Sequence, residues 1–185
     1  MDSEATPQTE AEAPASAPIV PERPRVEEPT AIWSLDLPDE AATHRLAHVL
    51  AGEVGAGDLI TLSGALGAGK PTFARAFIRE KAGDAGLEVP SPTFTLVQHY
   101  DTPSGVIVHA DFYRINPDDL VELGWDETTA DALTLVEWPE RAGAPLAPDR
   151  IDVALRIVPG GRESRRYAVL TGFGRWATRL ATLRA

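Results

Sequence analysis

Ser63-Gly64-Ala65-Leu66-Gly67-Ala68-Gly69-Lys70-Pro71-Thr72 decides how the rest of the chain is placed. An apolar run, Asp58-Leu59-Ile60-Thr61-Leu62, leads into it. From Thr72 to Lys81 a helical pattern follows, with Phe73, Ala76 and Phe77 spaced to face a core. The order is therefore strand, glycine-rich loop, helix. From Gly64 to Lys70 the loop reads G-x-x-x-x-G-K, the spacing that cradles phosphate groups. Glycines let backbone N–H groups turn inward, the helix start adds partial positive charge, and Lys70 reaches the terminal phosphates. The pattern asks for Ser or Thr after the lysine, and this chain has Pro71.

The wider composition bounds the reading. The chain has 185 residues, enough for one domain with a sizeable core. It has no cysteine, which excludes a disulfide scaffold or a zinc–thiolate site. No run reaches the roughly 18 apolar residues of a membrane span, and no basic-then-apolar leader opens the chain, so the expectation is a cytoplasmic protein with no membrane partner. A net charge of -11 argues against gripping nucleic acid over the whole surface. Arg162, Arg165, Arg166, Arg175 and Arg179 gather near the C-terminus, as a local basic patch or, the reading preferred here, as solvated charges on a strand and a helix. Of the 17 basic residues only Lys70 and Lys81 are lysines, so a compact ammonium has been kept in the loop.

Along the chain, residues 1–30 hold six prolines, seven acids and no aromatic residue. They cannot bury enough surface to offset their ordering entropy and read as a disordered tail; residues 31–185 form the domain. Ala31 to Leu37 alternates as a strand, and Pro38-Asp39-Glu40 suits the start of a helix running to about Ala51. His44 and His48 lie one turn apart but lack a third ligand, which favours solvated histidines. Val89-Pro90-Ser91-Pro92-Thr93 is a stiff loop that becomes a strand, which forms a hairpin with Val106 to Tyr113. Asp111, near the end of that hairpin, either faces Mg²⁺ or water, or caps a loop. Leu133 to Trp138 is a largely apolar strand, of the kind buried on both faces, and Glu137 stands at its C-terminal end, where an open α/β sheet places ligand contacts. Two more strands, Ile151–Val158 and Arg165–Leu170, form a second hairpin before a terminal helix carrying Trp176, Leu180 and Leu183.

The ordered set Leu37-Pro38-Asp39-Glu40, Gly64 to Thr72, Ser91-Pro92-Thr93-Phe94-Thr95-Leu96-Val97, His109-Ala110-Asp111-Phe112-Tyr113-Arg114, Val136-Glu137-Trp138-Pro139 and Gly161-Arg162-Glu163 resembles the bacterial TsaE (YjeE) ATPases over about residues 32 to 170. The resemblance implies an α/β fold of the P-loop NTPase kind, three layers α/β/α, with a mostly parallel central sheet and antiparallel hairpins. It implies a P-loop ATPase that binds ATP and Mg²⁺ and serves threonylcarbamoyladenosine (t6A) formation on tRNA. The partners it implies are a heterodimer of TsaB and TsaD, which the ATPase resets between turnovers, so tRNA is met only through the complex. By the same resemblance Gly64 and Leu66, Gly67, Ala68, Gly69 and Lys70 hold phosphate, with Pro71 and Thr72 beside them. Glu137 is a Mg²⁺ ligand and Asp111 the second acid near the metal. Ser91, Pro92 and Thr93 form a switch-like loop by the γ-phosphate, Trp138 packs beside the site, and Glu40 and Arg162 lie at the nucleotide's outer edge.

Pro71 departs from that family's threonine. It removes a hydroxyl that would ligate Mg²⁺ and a backbone N–H whose bond to phosphate is worth about 1.5–3 kcal/mol. It also disfavours the helical conformation at Lys70, while its own fixed φ suits a first helical turn. Thr72 points about 100° away and does not replace it. The expectation is an intact fold with impaired Mg·ATP binding and hydrolysis, which leaves a hydrolysis-impaired binding subunit as the alternative. A small-molecule kinase shares the loop, but no arginine-rich lid insertion separates the later strands.

Overall fold

The computed structural model describes residues 31–116, 119–122, 124–143, 146–160 and 165–183. The tail 1–30 and Arg162 lie outside them. Thirteen elements follow the loop's strand–helix logic. β1 is Ala31–Leu37, α1 Glu40–Glu53, β2 Leu59–Ser63, α2 Lys70–Ala82, β3 Val97–Thr102 and β4 Gly105–Asp111. Two short helices follow, α3 Asp119–Glu122 and α4 Trp125–Thr129, then β5 Leu133–Glu137 and a 3₁₀ turn, Pro139–Ala142. β6 Arg150–Ile157, β7 Arg166–Phe173 and α5 Arg175–Thr182 complete the domain.

The strands form one seven-stranded sheet in the order β1-β7-β6-β2-β5-β4-β3. Its centre, β6-β2-β5-β4, is parallel. Both flanks are antiparallel: β3 folds back on β4, and β7 joins β6 to β1. β2 and β5 at the heart of the sheet read as largely apolar runs, while β6 alternates. β5 is buried at all five positions because helical layers lie on both faces.

The two layers are unequal. On one face α1, α2 and α5 bury Leu46, Leu50, Phe73, Phe77, Trp176 and Leu180 against Ile60, Leu62, Leu135 and Val153. On the other, Phe112, Ile115, Trp125 and Ala142 cover Leu59, Val108, Ala110 and Val136. Period-two alternation explains the split: Leu59 and Ile60, or Ile107 and Val108, face opposite layers. Asp39 caps α1, its Oδ1 accepting the Ala42 N–H at 2.8 Å. Gly83, at φ 64°, ends α2 with its N–H on the Arg79 and Glu80 carbonyls.

Arg165, Arg175 and Arg179 are exposed, as the reading of solvated charges expects, and each is also paired. Arg165 pairs with Asp36 at 3.0 Å, Arg175 reaches Asp58 at 2.6 Å, and Arg179 donates to the Glu53 carbonyl at 2.6 Å. Asp58, an acid 5% exposed, draws Arg175 and also Arg179, whose Nη1 lies 3.9 Å from Oδ2, to the start of β2, and Trp176 Nε1 donates to it at 3.0 Å. His44 and His48 are exposed and face Glu40 and Glu80.

Candidate functional site

Parallel register brings the C-terminal ends of β2, β4 and β5 side by side. Asp111 lies directly across from Glu137, and Glu137 across from Leu62, the residue before Ser63 and the loop. The loop leaves β2 and turns into α2 with Gly64 at φ 136°, Gly67 at 78° and Gly69 at 105°. Gly64 has a second constraint, since a Cβ there would run into the Leu155 carbonyl oxygen. Gly69 is the N-cap, Lys70 the first helical residue and Pro71 the second. The expected disfavouring of helix at Lys70 is thus overridden. The Phe73 N–H closes onto the Gly69 carbonyl at 3.0 Å, and the helix begins one residue ahead of the proline, where no N–H is required of it.

A cavity of about 350 Å³ opens over this loop, lined by Leu66, Gly67, Gly69, Lys70, Pro71, Thr72, Arg75, Ser91, Thr93, Asp111, Tyr113, Glu137 and Trp138. Lys70 is only 2% exposed. Its Nζ donates to the Gly64 carbonyl at 2.7 Å and the Ala65 carbonyl at 3.2 Å, and sits 3.6 Å from the Trp138 ring centre. Burial holds its pKa below the ordinary 10.5, while Glu137, Glu140 and Asp111 pull it back up. Trp138 is held at φ 58°, a costly conformation for a non-glycine residue. Its N–H is bound to the Leu62 carbonyl at 3.0 Å, and its ring lies against Tyr113 at 4.9 Å and over Lys70. Strain there serves to place an aromatic face on the lysine.

The two acids are held differently. Asp111 has both oxygens engaged: Oδ1 accepts the Tyr113 N–H at 2.8 Å, and Oδ2 accepts the hydroxyls of Thr93 at 2.6 Å and Ser91 at 3.3 Å. It therefore caps a loop, one of the two roles left open by the sequence, and couples the Ser91–Thr93 segment to the strand ends. Glu137, 1% exposed, has Oε1 3.1 Å from His109 Nε2. His109 Nδ1 is buried with no hydrogen-bond partner. An unpaired lone pair is tolerated there more readily than an unpaired N–H, which favours the tautomer with the proton on Nε2, donated to Glu137.

Most of the expected residues thus surround one cavity. Ala68 is buried behind the loop, and Gly64 contributes its carbonyl to Lys70. Glu40 does not line this cavity. It lines a groove of about 620 Å³ between α1 and α2, which shares Arg75 with it. Two residues with no assigned role emerge from the geometry. His109 stands behind Glu137, and its signal was the strand period, which puts residues 109 and 111 on one face. Arg166 grips the loop from β7 with Nε on the Ala68 carbonyl at 3.1 Å and Nη2 on the Gly67 carbonyl at 3.0 Å. No spacing rule links positions so far apart.

Comparison with known proteins agrees with this arrangement. The family model described as threonylcarbamoyl adenosine biosynthesis protein TsaE matches residues 37–166. A tRNA threonylcarbamoyladenosine biosynthesis protein TsaE from Rickettsia typhi is 38% identical over 127 residues, 68% of this chain and 88% of the relative. Its counterpart in Streptomyces coelicolor is 39% identical over 129 residues, 66% and 86% of the two chains. The crystal structure of Bacillus subtilis YdiB superposes with a TM-score of 0.62 at 24% identity, covering 82% of this chain and 97% of that one, a likeness of fold. The family match spans the glycine-rich loop between β2 and α2 and the two acids at neighbouring strand ends, and the chain belongs to the TsaE family.

Proposed function

We propose that this chain binds ATP with Mg²⁺ over the Gly64–Thr72 loop and acts as the nucleotide-driven subunit in threonylcarbamoyladenosine formation on tRNA, working on a TsaB–TsaD pair. One observation carries the reading: Lys70, Asp111 and Glu137 come from three different elements and line a single cavity above a glycine-rich helix start. Family names supply the pathway, since the relatives are described as tRNA threonylcarbamoyladenosine biosynthesis proteins.

The donor set fits Mg²⁺, which proteins bind through one or two carboxylates together with substrate phosphates. Glu137 is the better ligand, because one of its oxygens is turned to His109 while both of Asp111's are already engaged. When bound, the ion neutralises charge on the phosphate oxygens. Lys70 Nζ gives two of its three donors to the Gly64 and Ala65 carbonyls, which leaves the third for a phosphate, and the Trp138 ring supports the ammonium at 3.6 Å. Thr93 lines the same cavity and is hydrogen-bonded to Asp111, which supports a role in sensing the terminal phosphate and passing that contact to the segment around it.

Pro71 favours a second reading, a subunit that binds nucleotide and partners but hydrolyses slowly. At the second helical position it offers neither N–H nor hydroxyl to a phosphate or a metal. Pro71→Thr is expected to tighten Mg·ATP binding about ten- to a hundredfold, the worth of one or two charge-assisted bonds, and to raise turnover. Calorimetric titration and phosphate release measure the two effects. Equal affinity and turnover in both forms would remove Pro71 as the determinant. A pull-down with TsaB- and TsaD-type proteins, with and without ATP, tests the partner assignment, and failure to capture either protein in both conditions counts against it.

A further inference from the structure

We propose that Arg166 is a positioning residue that clamps the phosphate loop open, holding the Gly67 and Ala68 carbonyls away from the site so that the Gly69 amide faces a phosphate. The proposal rests on the reading of that loop as a phosphate cradle.

The loop needs such a device. Gly67 and Gly69 flank Ala68 at positive φ, and a Cβ at either glycine would meet nothing within 4 Å. Glycine on both sides of Ala68 leaves the backbone there without the Cβ restriction that would fix its φ and ψ at other residues. A carbonyl turned into the cavity would present its negative end to a phosphate oxygen. The Ala68 N–H closes a turn onto the Ala65 carbonyl at 3.0 Å, which fixes one plane from within. Arg166 fixes the loop from outside. Its Nε and Nη2 take the Ala68 and Gly67 carbonyls, and its Nη1 donates to the Arg165 carbonyl at 3.0 Å, anchoring the guanidinium to its own strand. In a trans peptide the N–H points opposite to the carbonyl. Holding the Ala68 carbonyl towards β7 thus aims the Gly69 N–H the other way, and Gly69 lines the cavity.

The anchor is rigid. Arg166 lies in β7 between Leu37 of β1 and Ile157 of β6, with a paired strand on each side. Arginine suits the task, because its planar fork takes the Gly67, Ala68 and Arg165 carbonyls in fixed directions from one rigid group, whereas an ammonium is a compact charge whose donors rotate on a flexible stem. The same guanidinium leaves a fixed positive charge behind the cradle.

The test compares the unaltered protein, Arg166→Lys and Arg166→Met in metal-free buffer, with inorganic pyrophosphate and ADP as probes and amide hydrogen exchange at Ala68 and Gly69 in the ligand-free state. The methionine variant is expected to lose about ten- to a hundredfold in affinity for both probes, the range for losing charge-assisted bonds, with exchange at Ala68, whose amide is bonded within the loop, accelerated about tenfold or more, the cavity-facing Gly69 serving as the unprotected reference, and the melting temperature nearly unchanged. Lysine keeps the charge and is expected to restore only part of the affinity. Lysine binding as tightly as arginine would show that charge alone matters and would overturn the clamp. Unchanged exchange in Arg166→Met would overturn it too. If the unaltered protein bound neither probe, the nucleotide reading would fall, and the exchange measurement would still decide whether Arg166 holds the loop.

Discussion

Lys70 has to be charged to serve a phosphate, yet the loop buries it. Desolvation lowers its pKa, and the surrounding acids only partly offset the effect. The sign of the consequence follows. Between the lowered folded value and the ordinary 10.5, the unfolded chain binds more protons than the native one, so this lysine makes stability rise with pH across that window. Below the folded value its contribution is a constant penalty. Lys70→Met is therefore expected to melt higher than the unaltered protein at pH 7, to lack the lysine's rise in stability at alkaline pH, and to bind pyrophosphate at least tenfold more weakly. Urea unfolding at several pH values, with pyrophosphate titration, checks all three. A lower melting point at pH 7 would mean that the two carbonyls and the Trp138 ring more than compensate the buried charge. The sequence announced this residue because its job is fixed by local spacing. It was silent on Trp138 as the lysine's partner in geometry, because a positive φ at a residue before proline follows from no propensity rule.

At the scale of elements, the segment from Ser91 to Leu96 is joined to the hairpin by few bonds. Thr93 and Ser91 hold the Asp111 carboxylate, Leu96 donates to the Pro92 carbonyl at 2.7 Å, and the Asp111 N–H reaches the Leu96 carbonyl at 3.0 Å. Leu96 sits at φ 63° and Phe94 is 81% exposed, so core packing holds the segment only at its Pro92 end. Thr93→Val removes the shortest tie while keeping the side chain's shape. It is expected to cost about 0.5–1.5 kcal/mol of stability, one hydrogen bond, to speed amide exchange from residue 93 to 96, and to lower any ATP turnover while ADP affinity holds. Equal loss of ADP and ATP affinity would assign Thr93 to general phosphate binding instead of sensing. The strands and helices on either side were legible in the sequence, because alternation and helical spacing come from neighbours in the chain. The segment's tie to Asp111 was only partly so: a serine and a threonine near an acid suggested contact, but the bond itself depends on how the hairpin folds back.

Across the whole molecule, the sheet separates what binds from what stabilises. The cavity lies at the C-terminal ends of β2, β4 and β5, and the Asp58 cluster lies at the opposite end of β2. The parallel centre of the sheet could be anticipated, because β2 and β5 are largely apolar runs. The commitment of the C-terminal arginines could not, since it depends on α5 returning beside β1 and β7 to meet a residue more than a hundred positions earlier. Asp58 accepts from Arg175, from the fully buried Trp176 and, through Oδ2, from the Gly55 N–H at 2.8 Å. Asp58→Ala leaves the indole N–H without its partner in a dry site, at a cost of about 1–3 kcal/mol, or about 2–4 °C in melting temperature per kcal/mol for a domain of this size. Because β2 passes through the sheet with neighbours on both sides, the loss should stay at its own end. Nucleotide affinity at 25 °C is expected to remain within about twofold of the unaltered protein, since sites this far apart, with no shared partner, add independently. Thermal melts and nucleotide titration of the same sample measure both quantities. A large loss of affinity at a temperature where Asp58→Ala is still folded would mean that α5 and the start of β2 set the pose of the phosphate loop, and that stability and binding are not divided between the two ends of the sheet.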